Sequence, residues 1–502
     1  VREFEVALLV VNLLALFAGT SKRLSRAVWL GIAGVNGVIL GLHGVIEGFR
    51  YQMGFAYIFV FLFVIYAAVK ATIRFTETKI TKILKGTAIG LSCLFLAVTA
   101  LAAYALPVFQ LPAPTGDYDV GVQYVYLTDE KRNEPFLDGS TDKRELAVKI
   151  YYPATQDQTK PTAAYFHNSS ELIKTFSKGN QLPDFMFSHL QLVKTHSREG
   201  VSLSGKQANY PVILFSHGGG TNMEVHAAQS EDLASHGYIV VAVNHTYVSS
   251  ATELPGRIVT DREATVNFEG DPLASITQIM ADDVSFVIDK LAEMNAGKTD
   301  SIFEGKLDLD RIGAVGHSLG GAAAYNLAIN ESRVKAAINL DGAVYAAADG
   351  EKPIAPLLML ANDEYGIQSI IQSEPFMLKL EEIPAEQREA VASAYGGQEA
   401  YTDIYRKQKQ AAAGLANILK ASDSLWVIEG SAHMKFADIG LFMGPGFNRF
   451  IGIHGDTSSK ECLAIAKSVT LAFFNRHLNN ETRDSLESVL RSYPKLQKAK
   501  WM

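Results

Sequence analysis

Ile312-Gly313-Ala314-Val315-Gly316-His317-Ser318-Leu319-Gly320-Gly321-Ala322-Ala323-Ala324 is the stretch that decides the fold. It opens as a short apolar strand, turns through Gly-x-Ser-x-Gly at residues 316–320, and runs on into small residues suited to a tightly packed helix. A serine on so sharp a turn is held out beyond the strand end. The flanking glycines are needed because a Cβ at either would collide with the neighbouring strand or helix. Alone, the three-residue pattern is common, and a glycine-rich strand-to-helix turn would explain it. With a strand before it and a helix after it, Ser318 becomes a candidate nucleophile.

Outward from this turn, strand-like and helix-like segments alternate. Residues 212–216, 238–244, 336–340, 356–361 and 425–429 are short, apolar and bounded by Gly, Asp, Asn or His, as central strands are. Ile276, Met280, Val284, Val287, Ile288 and Leu291 recur at helical spacing, with Asp282, Asp283 and Lys290 on the other side, which predicts an amphipathic covering helix. Residues 120–127 and 145–152, connected through Asp138-Gly139, read as antiparallel edge strands. The pattern predicts the α/β class, a mostly parallel central sheet with helices on both faces, over residues 118–502 behind a proline-containing linker at 107–117. The stretches near 163–208 and 365–421 break the alternation and read as insertions over the sheet's C-terminal edge, where excursions often shape a substrate entrance.

Serine is a poor nucleophile unless a base takes its proton, and histidine titrates in the right range. His433, in Gly430-Ser431-Ala432-His433 just past the strand at 425–429, is the best placed by chain order. His454 is a weaker rival, and His317 in the turn itself points the wrong way. A solvated surface group is the plain alternative for any lone loop histidine. The imidazole needs a carboxylate to fix its tautomer and balance its charge. Two compete nearly evenly: Asp341 in Asn339-Leu340-Asp341-Gly342, and Asp363 in Ala361-Asn362-Asp363-Glu364, where the commoner hydrolase arrangement would put the acid. Acyl transfer also needs donors for the developing oxyanion, each worth about 2.7–4 kcal/mol in other enzymes. The amide of Leu319 is one candidate. Gly218 or Gly219, in Ser216-His217-Gly218-Gly219-Gly220, would supply another, although a flexible connector would also explain that glycine run.

At 502 residues the chain is longer than one ordinary core organises. Its 48% hydrophobic content and mean hydropathy of +0.08 average a very apolar beginning with an ordinary remainder. Apolar runs at residues 4–19, 27–46, 53–69 and 86–106 approach the roughly 20 residues that cross about 30 Å of hydrocarbon. Residues 1–106 are therefore predicted as an all-α membrane region of four spans. A buried soluble helix would explain any one run, but repetition favours the bilayer. Lys22, Arg23 and Arg26 in the first loop, with Lys70, Arg74, Lys79, Lys82 and Lys85 in the third, assign both loops to the cytoplasm. The large domain then lies on the extracytoplasmic side of the cell membrane. Ala103-Tyr104-Ala105 would suit a signal peptidase, whose cut would release that domain. Asn36 and His43 in the second run suit hydrogen-bonded packing better than a polar path.

A formal charge of −7 without a concentrated basic face excludes nucleic acid as a partner. Cys93 and Cys462 are too far apart in sequence to suggest a pair, and they offer neither a disulfide framework nor a cysteine zinc site. No metal or cofactor is expected.

Taken together, Phe215-Ser216-His217-Gly218, Asp232-Leu233-Ala234-Ser235-His236-Gly237-Tyr238-Ile239-Val240, Gly316-His317-Ser318-Leu319-Gly320-Gly321, Leu340-Asp341, and His433 followed by Phe436-Ala437-Asp438 resemble the platelet-activating factor acetylhydrolases of the plasma and intracellular type II kind. The likeness covers residues 118–477 and implies an α/β-hydrolase fold. It further implies Asp341 as the acid, His433 as the base, the amides of Gly219 and Leu319 as oxyanion donors, and no metal. Two positions depart from that family: Gly219 stands where Leu is usual, and Gly342 replaces an aromatic residue, which puts the acyl pocket in doubt. Nothing in the likeness covers the apolar runs. The resulting expectation is a membrane-anchored serine ester hydrolase that acts through an acyl-serine on short-acyl lipid or phospholipid-like esters. An acyltransferase using the same acyl-enzyme, and an inactive hydrolase-like membrane sensor, are the alternatives; the complete Ser318, Asp341 and His433 set weighs against the latter.

Overall fold

The computed structural model describes residues 1–21, 24–73, 78–167, 169–179, 181–345, 355–363, 365–482 and 484–501. They form two compact units. The first is Val1–Gln110 with Leu182–Val193 and Phe442–Asn448; the second is Leu111–Gln181 with Lys194–Leu441 and Arg449–Met502.

In the first unit, α1 (Glu3–Thr20), α2 (Arg26–Leu42), α3 (Gly54–Thr72) and α4 (Lys79–Ala105) follow one another. Ser25 accepts from the Val28 amide at the start of α2, and Thr78 from that of Thr81 at the start of α4, satisfying donors the helix leaves open. Among the described residues three helical segments are long and apolar enough to cross a membrane, Arg26–Glu47, Tyr51–Thr72 and Lys79–Ala105, against the four expected. The reason lies in α1. Its first turn carries Glu3 and Glu5, so its apolar part, from Val6 on, rises only about 22 Å at 1.5 Å per residue, short of the roughly 30 Å core. Glu5 is fully buried and paired with Arg50 at 2.6 Å and Arg2 at 2.8 Å, which makes a carboxylate tolerable there. His43 bonds Glu47 through Nδ1 (2.9 Å) and the Tyr57 hydroxyl through Nε2 (2.7 Å). Asn36 is buried with neither polar atom of its side chain partnered. Lys22, Arg23 and Arg74, used above to orient the loops, lie outside the described residues.

The second unit is built on a sheet of β1 (Asp119–Asn133), β2 (Lys143–Ala154), β3 (Thr162–Ala164), β4 (Lys194–Glu199), β5 (Tyr210–Ser216), β6 (Ile239–Asn244), β9 (Leu307–His317), β10 (Val334–Leu340), β11 (Leu357–Asn362), β12 (Leu425–Ile428) and β13 (Leu496–Lys498). The small hairpin β7 (Thr252–Leu254) and β8 (Arg257–Val259) stands apart. The order across the sheet is β13-β12-β11-β10-β9-β5-β6-β2-β1-β4-β3. From β6 through β12 every neighbouring pair is parallel. Alternate side chains serve opposite faces, as a pleated strand requires. Val212, Leu214 and Ala314 enter one core with Val284 and Leu291, while Ile213, Phe215 and Val315 enter the other with Val469 and Phe474.

Helices α5 (Ser169–Gly179), α6 (Ala227–Ser235), α7 (Pro272–Asn295), α8 (Leu319–Asn330), α9 (Tyr365–Ile371), α10 (Ala385–Ala394), α11 (Gln398–Ser422), α13 (Ser459–Leu478) and α14 (Asp484–Ser492) complete the unit, while the short α12 (Pro445–Asn448) belongs to the first. The amphipathic helix expected over 276–291 is α7.

β1 and β2 pair antiparallel as expected, with Val120 opposite Pro153, but they are not at the edge. β4 adds to β1 in parallel and β3 to β4, extending the sheet with residues from the 163–208 stretch. Lys194-Thr195-His196-Ser197-Arg198-Glu199 has no apolar alternation to announce a strand; pairing with β1 and β3 recruits it, together with the buried Glu231 carboxylate, which accepts the His196 and Ser197 amides.

Candidate active site

The parallel strands deliver their C-terminal ends to one side of the sheet, the side where open α/β sheets bind ligands. β9 ends there at His317, and Ser318 follows with φ 57° and ψ −121°, a strained conformation for a residue bearing a Cβ. The packing around it enforces the strain. A Cβ on Gly316 would lie 2.1 Å from the Gly320 carbonyl oxygen, and one on Gly320 would lie 2.2 Å from that of Ser216. Only glycine lets the turn, its helix and β5 approach this closely. The Ser318 amide is anchored on the Leu340 carbonyl at 3.0 Å.

Asp341 follows β10 and His433 follows β12. His433 donates from Nδ1 to Asp341 Oδ2 at 2.6 Å, which leaves Nε2 as the ring's basic nitrogen. Ser318, Asp341 and His433 all line one cavity of about 340 Å³, whose other walls include Met359, Phe376 and Leu415. Among the described residues no hydrogen bond joins Ser318 to His433; such contacts commonly tighten only when substrate binds. Gly218 and Gly219 lie against the turn: a Cβ on the first would be 2.9 Å from Ser318 Cβ, and one on the second 2.7 Å from Leu319 Cδ1. The Gly218 carbonyl accepts from the Thr221 hydroxyl at 2.7 Å, which fixes the orientation of this loop.

The rival residues take other places. Asp363 accepts from the Gly430 amide at 2.7 Å, in the loop that carries His433. His454 is not part of the cavity wall. His317 is buried, its ring 4.5 Å from that of His433, and its Nε2 donates to the His433 carbonyl at 2.9 Å. Burial, with the nearby His433, pushes its pKa well below the usual range, so it supports the loop as a neutral ring.

Sequence reasoning missed two groups. Asn362 gives its backbone amide to Asp341 Oδ1 (2.9 Å) and its side-chain amide to Oδ2 (2.6 Å). Below the glycine loop, His245 bonds Asp283 through Nδ1 (3.0 Å) and the Ser216 hydroxyl through Nε2 (3.1 Å). Asp283 is also gripped by Arg144 at 2.6 Å and Arg132 at 3.0 Å. Burial alone would raise its pKa, but Arg144 and His245 more than offset this and hold it far below the carboxylate range. Asn362 could have been suspected from its place at a strand end beside Asp363. His245 carries the same signal, directly after the end of β6. Among the described residues no three His, Cys, Asp or Glu side chains gather in a way that would hold a metal ion.

A strained serine, a carboxylate-bound histidine and close glycine amides, gathered at the ends of parallel strands, are the working parts of an α/β-hydrolase of the serine-esterase type. Residues 104–266 and 273–492 match the family described as Platelet-activating factor acetylhydrolase, isoform II, and the chain belongs to that family. It is 26% identical over 263 residues to the probable 1-alkyl-2-acetylglycerophosphocholine esterase of Arthroderma benhamiae, an overlap of 50% of this chain and 64% of that one. To the platelet-activating factor acetylhydrolase of Cavia porcellus it is 23% identical over 385 residues, 70% of this chain and 78% of the relative. The structure of a ferulic acid esterase from Streptomyces cinnamoneus matches with a TM-score of 0.55 at 24% identity, covering 78% of this chain and 100% of the other, a likeness of fold. The expected family and fold hold, and the chain is an ester hydrolase.

Proposed function

We propose that the enzyme cleaves carboxylic esters through an acyl-Ser318 intermediate. His433 Nε2 takes the Ser318 proton as the hydroxyl attacks the ester carbonyl, then returns it to the departing alcohol. Asp341 holds the ring by Nδ1 and balances the imidazolium charge. The amides of Gly219 and Leu319 receive the oxyanion. Water, activated by the same imidazole, then releases the acid. The observation that carries this reading is the 2.6 Å bond between His433 and Asp341 in the cavity that Ser318 lines.

The substrate we propose is a short-acyl lipid or phospholipid-like ester. The largely apolar cavity wall formed by Met359, Phe376 and Leu415 supports it, as do the printed names of the relatives. The apolar helices would hold the enzyme in the membrane, and Lys70 in the last turn of α3, with Lys79, Lys82 and Lys85 in the first turns of α4, supports a cytoplasmic connection there. Residues after α4 then lie on the outer side, whether or not α1 crosses.

The test uses the full chain in detergent micelles, with a fluorophosphonate probe and a graded series of p-nitrophenyl esters and acetylated phospholipids. Probe labelling that disappears in Ser318→Ala, together with preference for the short acyl chains, is the expected result. An unlabelled but folded wild-type chain overturns it in favour of a sensor. Transfer of the acyl group to an added alcohol in preference to water overturns hydrolysis in favour of acyl transfer.

A further inference from the structure

β10 and β11 end side by side, with the Asp341 amide on the Leu360 carbonyl at 2.9 Å. Asp341 has φ +57°, in the left-handed region that Asp tolerates, and its carboxylate is aimed by its partners. His433 touches only Oδ2. Asn362 touches both oxygens, Oδ1 by its backbone amide and Oδ2 by Nδ2. Two donors from one residue fix the plane of the carboxylate. The side-chain donor also draws charge from the oxygen that faces the imidazole.

The next residue reaches the other partner. Asp363 Oδ2 accepts the Gly430 amide, while the Gly430 carbonyl accepts from the Thr457 amide at 2.8 Å. Gly430 has φ +67° and precedes His433 by three residues, so the loop carrying the histidine is pinned from both sides at its tightest point. Asn362 is itself nearly buried and lines the cavity.

We infer that Asn362 and Asp363 are a positioning pair for the reaction: Asn362 sets the plane and charge of Asp341, and Asp363 sets the loop that presents His433. The inference rests on the proposed roles of Ser318, His433 and Asp341. One β-strand end thereby adjusts both halves of the acid–histidine couple, and a carboxylate at position 363 serves as an anchor for a backbone amide.

The experiment measures pH–rate profiles of the full-length enzyme, with rates normalised to the fluorophosphonate-reactive fraction, for Asn362→Leu, Asp363→Ala, Asp363→Asn and Asp341→Asn. Asn362→Leu should lower kcat about 10- to 100-fold with KM within about twofold, the size expected of a misplaced catalytic group. It should also displace the acid limb of kcat/KM to higher pH, because a carboxylate relieved of the Nδ2 donor stabilises the imidazolium more strongly. Asp363→Ala should cost about tenfold, whereas Asp363→Asn, which keeps an acceptor oxygen for Gly430, should stay within about threefold. An acid limb that stays put in Asn362→Leu overturns the inference, as does an Asp363→Asn variant as slow as Asp363→Ala. Native turnover in Asp341→Asn would instead bring down the triad reading, so the two failures are distinguishable.

Discussion

Among the described residues of the second unit stand two serine–histidine–aspartate sets, and the comparison separates what geometry provides from what chemistry requires. In Ser216–His245–Asp283 the relay is complete, with bonds of 3.1 Å and 3.0 Å on the two ring nitrogens. In Ser318–His433–Asp341 only the acid side is bonded. By bond lengths alone the first would be chosen. Yet its side chains are buried, His245 at 0% exposure and Ser216 at 3%, and none of the three lines the cavity. The His433 side chain is 39% exposed, and Ser318 sits on a strained turn beside the glycine amides. Burial also pushes the His245 pKa down, against the pull of Asp283, so the ring is a weaker base than an ordinary histidine. A hydrogen-bonded relay is one way to satisfy buried polar groups. In the proposed mechanism, access, strain and oxyanion donors are what turn such a relay into a catalyst.

The comparison breaks most visibly at the serines. Ser318→Ala should cut turnover by at least about 10⁴-fold and abolish probe labelling, whereas Ser216→Ala should leave turnover within about threefold; the opposite pattern would exchange the two sets. Next in size are the acids. Asp341→Asn should cost about 10⁴-fold in turnover with the fold intact. Asp283→Asn should act on stability, at about 1.5–3 kcal/mol, because it weakens the charge-assisted bonds to the buried Arg144 while Glu134 still pairs with it. Thermal unfolding of both variants separates the effects.

A smaller effect concerns pH. Burial lowers the pKa of His245 in the folded state, while the unfolded chain takes up a proton near pH 6.5. Its contribution to stability is therefore present at higher pH and lost as the pH falls below that value. His245→Gln should flatten the slope of unfolding free energy between pH 7 and 5, and urea midpoints across that range check it. Smallest of all, Ser216→Ala should destabilise by about 1 kcal/mol, the worth of one hydrogen bond.

What could be read in the sequence was whatever local chemistry encodes. The turn at Ser318 is written in its glycines, and β5, β6, β9 and β10 in short apolar runs, because each must be buried on both faces. β4 could not be read, since its residues are polar and its place comes from pairing with β1. α1 misled because the partner that accommodates Glu5, Arg50, lies 45 residues away. The choice between Asp341 and Asp363 was open for a similar reason. Both end strands, and only the register that sets Leu340 beside Leu360 and brings the Gly430 loop against β11 decides which carboxylate meets His433 and which meets a backbone amide. Asn362 was quoted in the motif, but its donor role exists only once that register is formed.

The membership of Leu182–Val193 and Phe442–Asn448 in the same unit as the N-terminal helices bears on biosynthesis. Translation at about 5–20 residues per second separates the end of α4 from residue 448 by tens of seconds. Until residue 193 is made the helices are without both segments that complete their unit, and until residue 448 they still lack Phe442–Asn448, so that Phe442, buried in the finished protein, arrives long after Phe187 and Leu190. A nascent chain stalled or cut before that point would display the unfilled helical surface to the quality-control machinery, whereas the finished one conceals it.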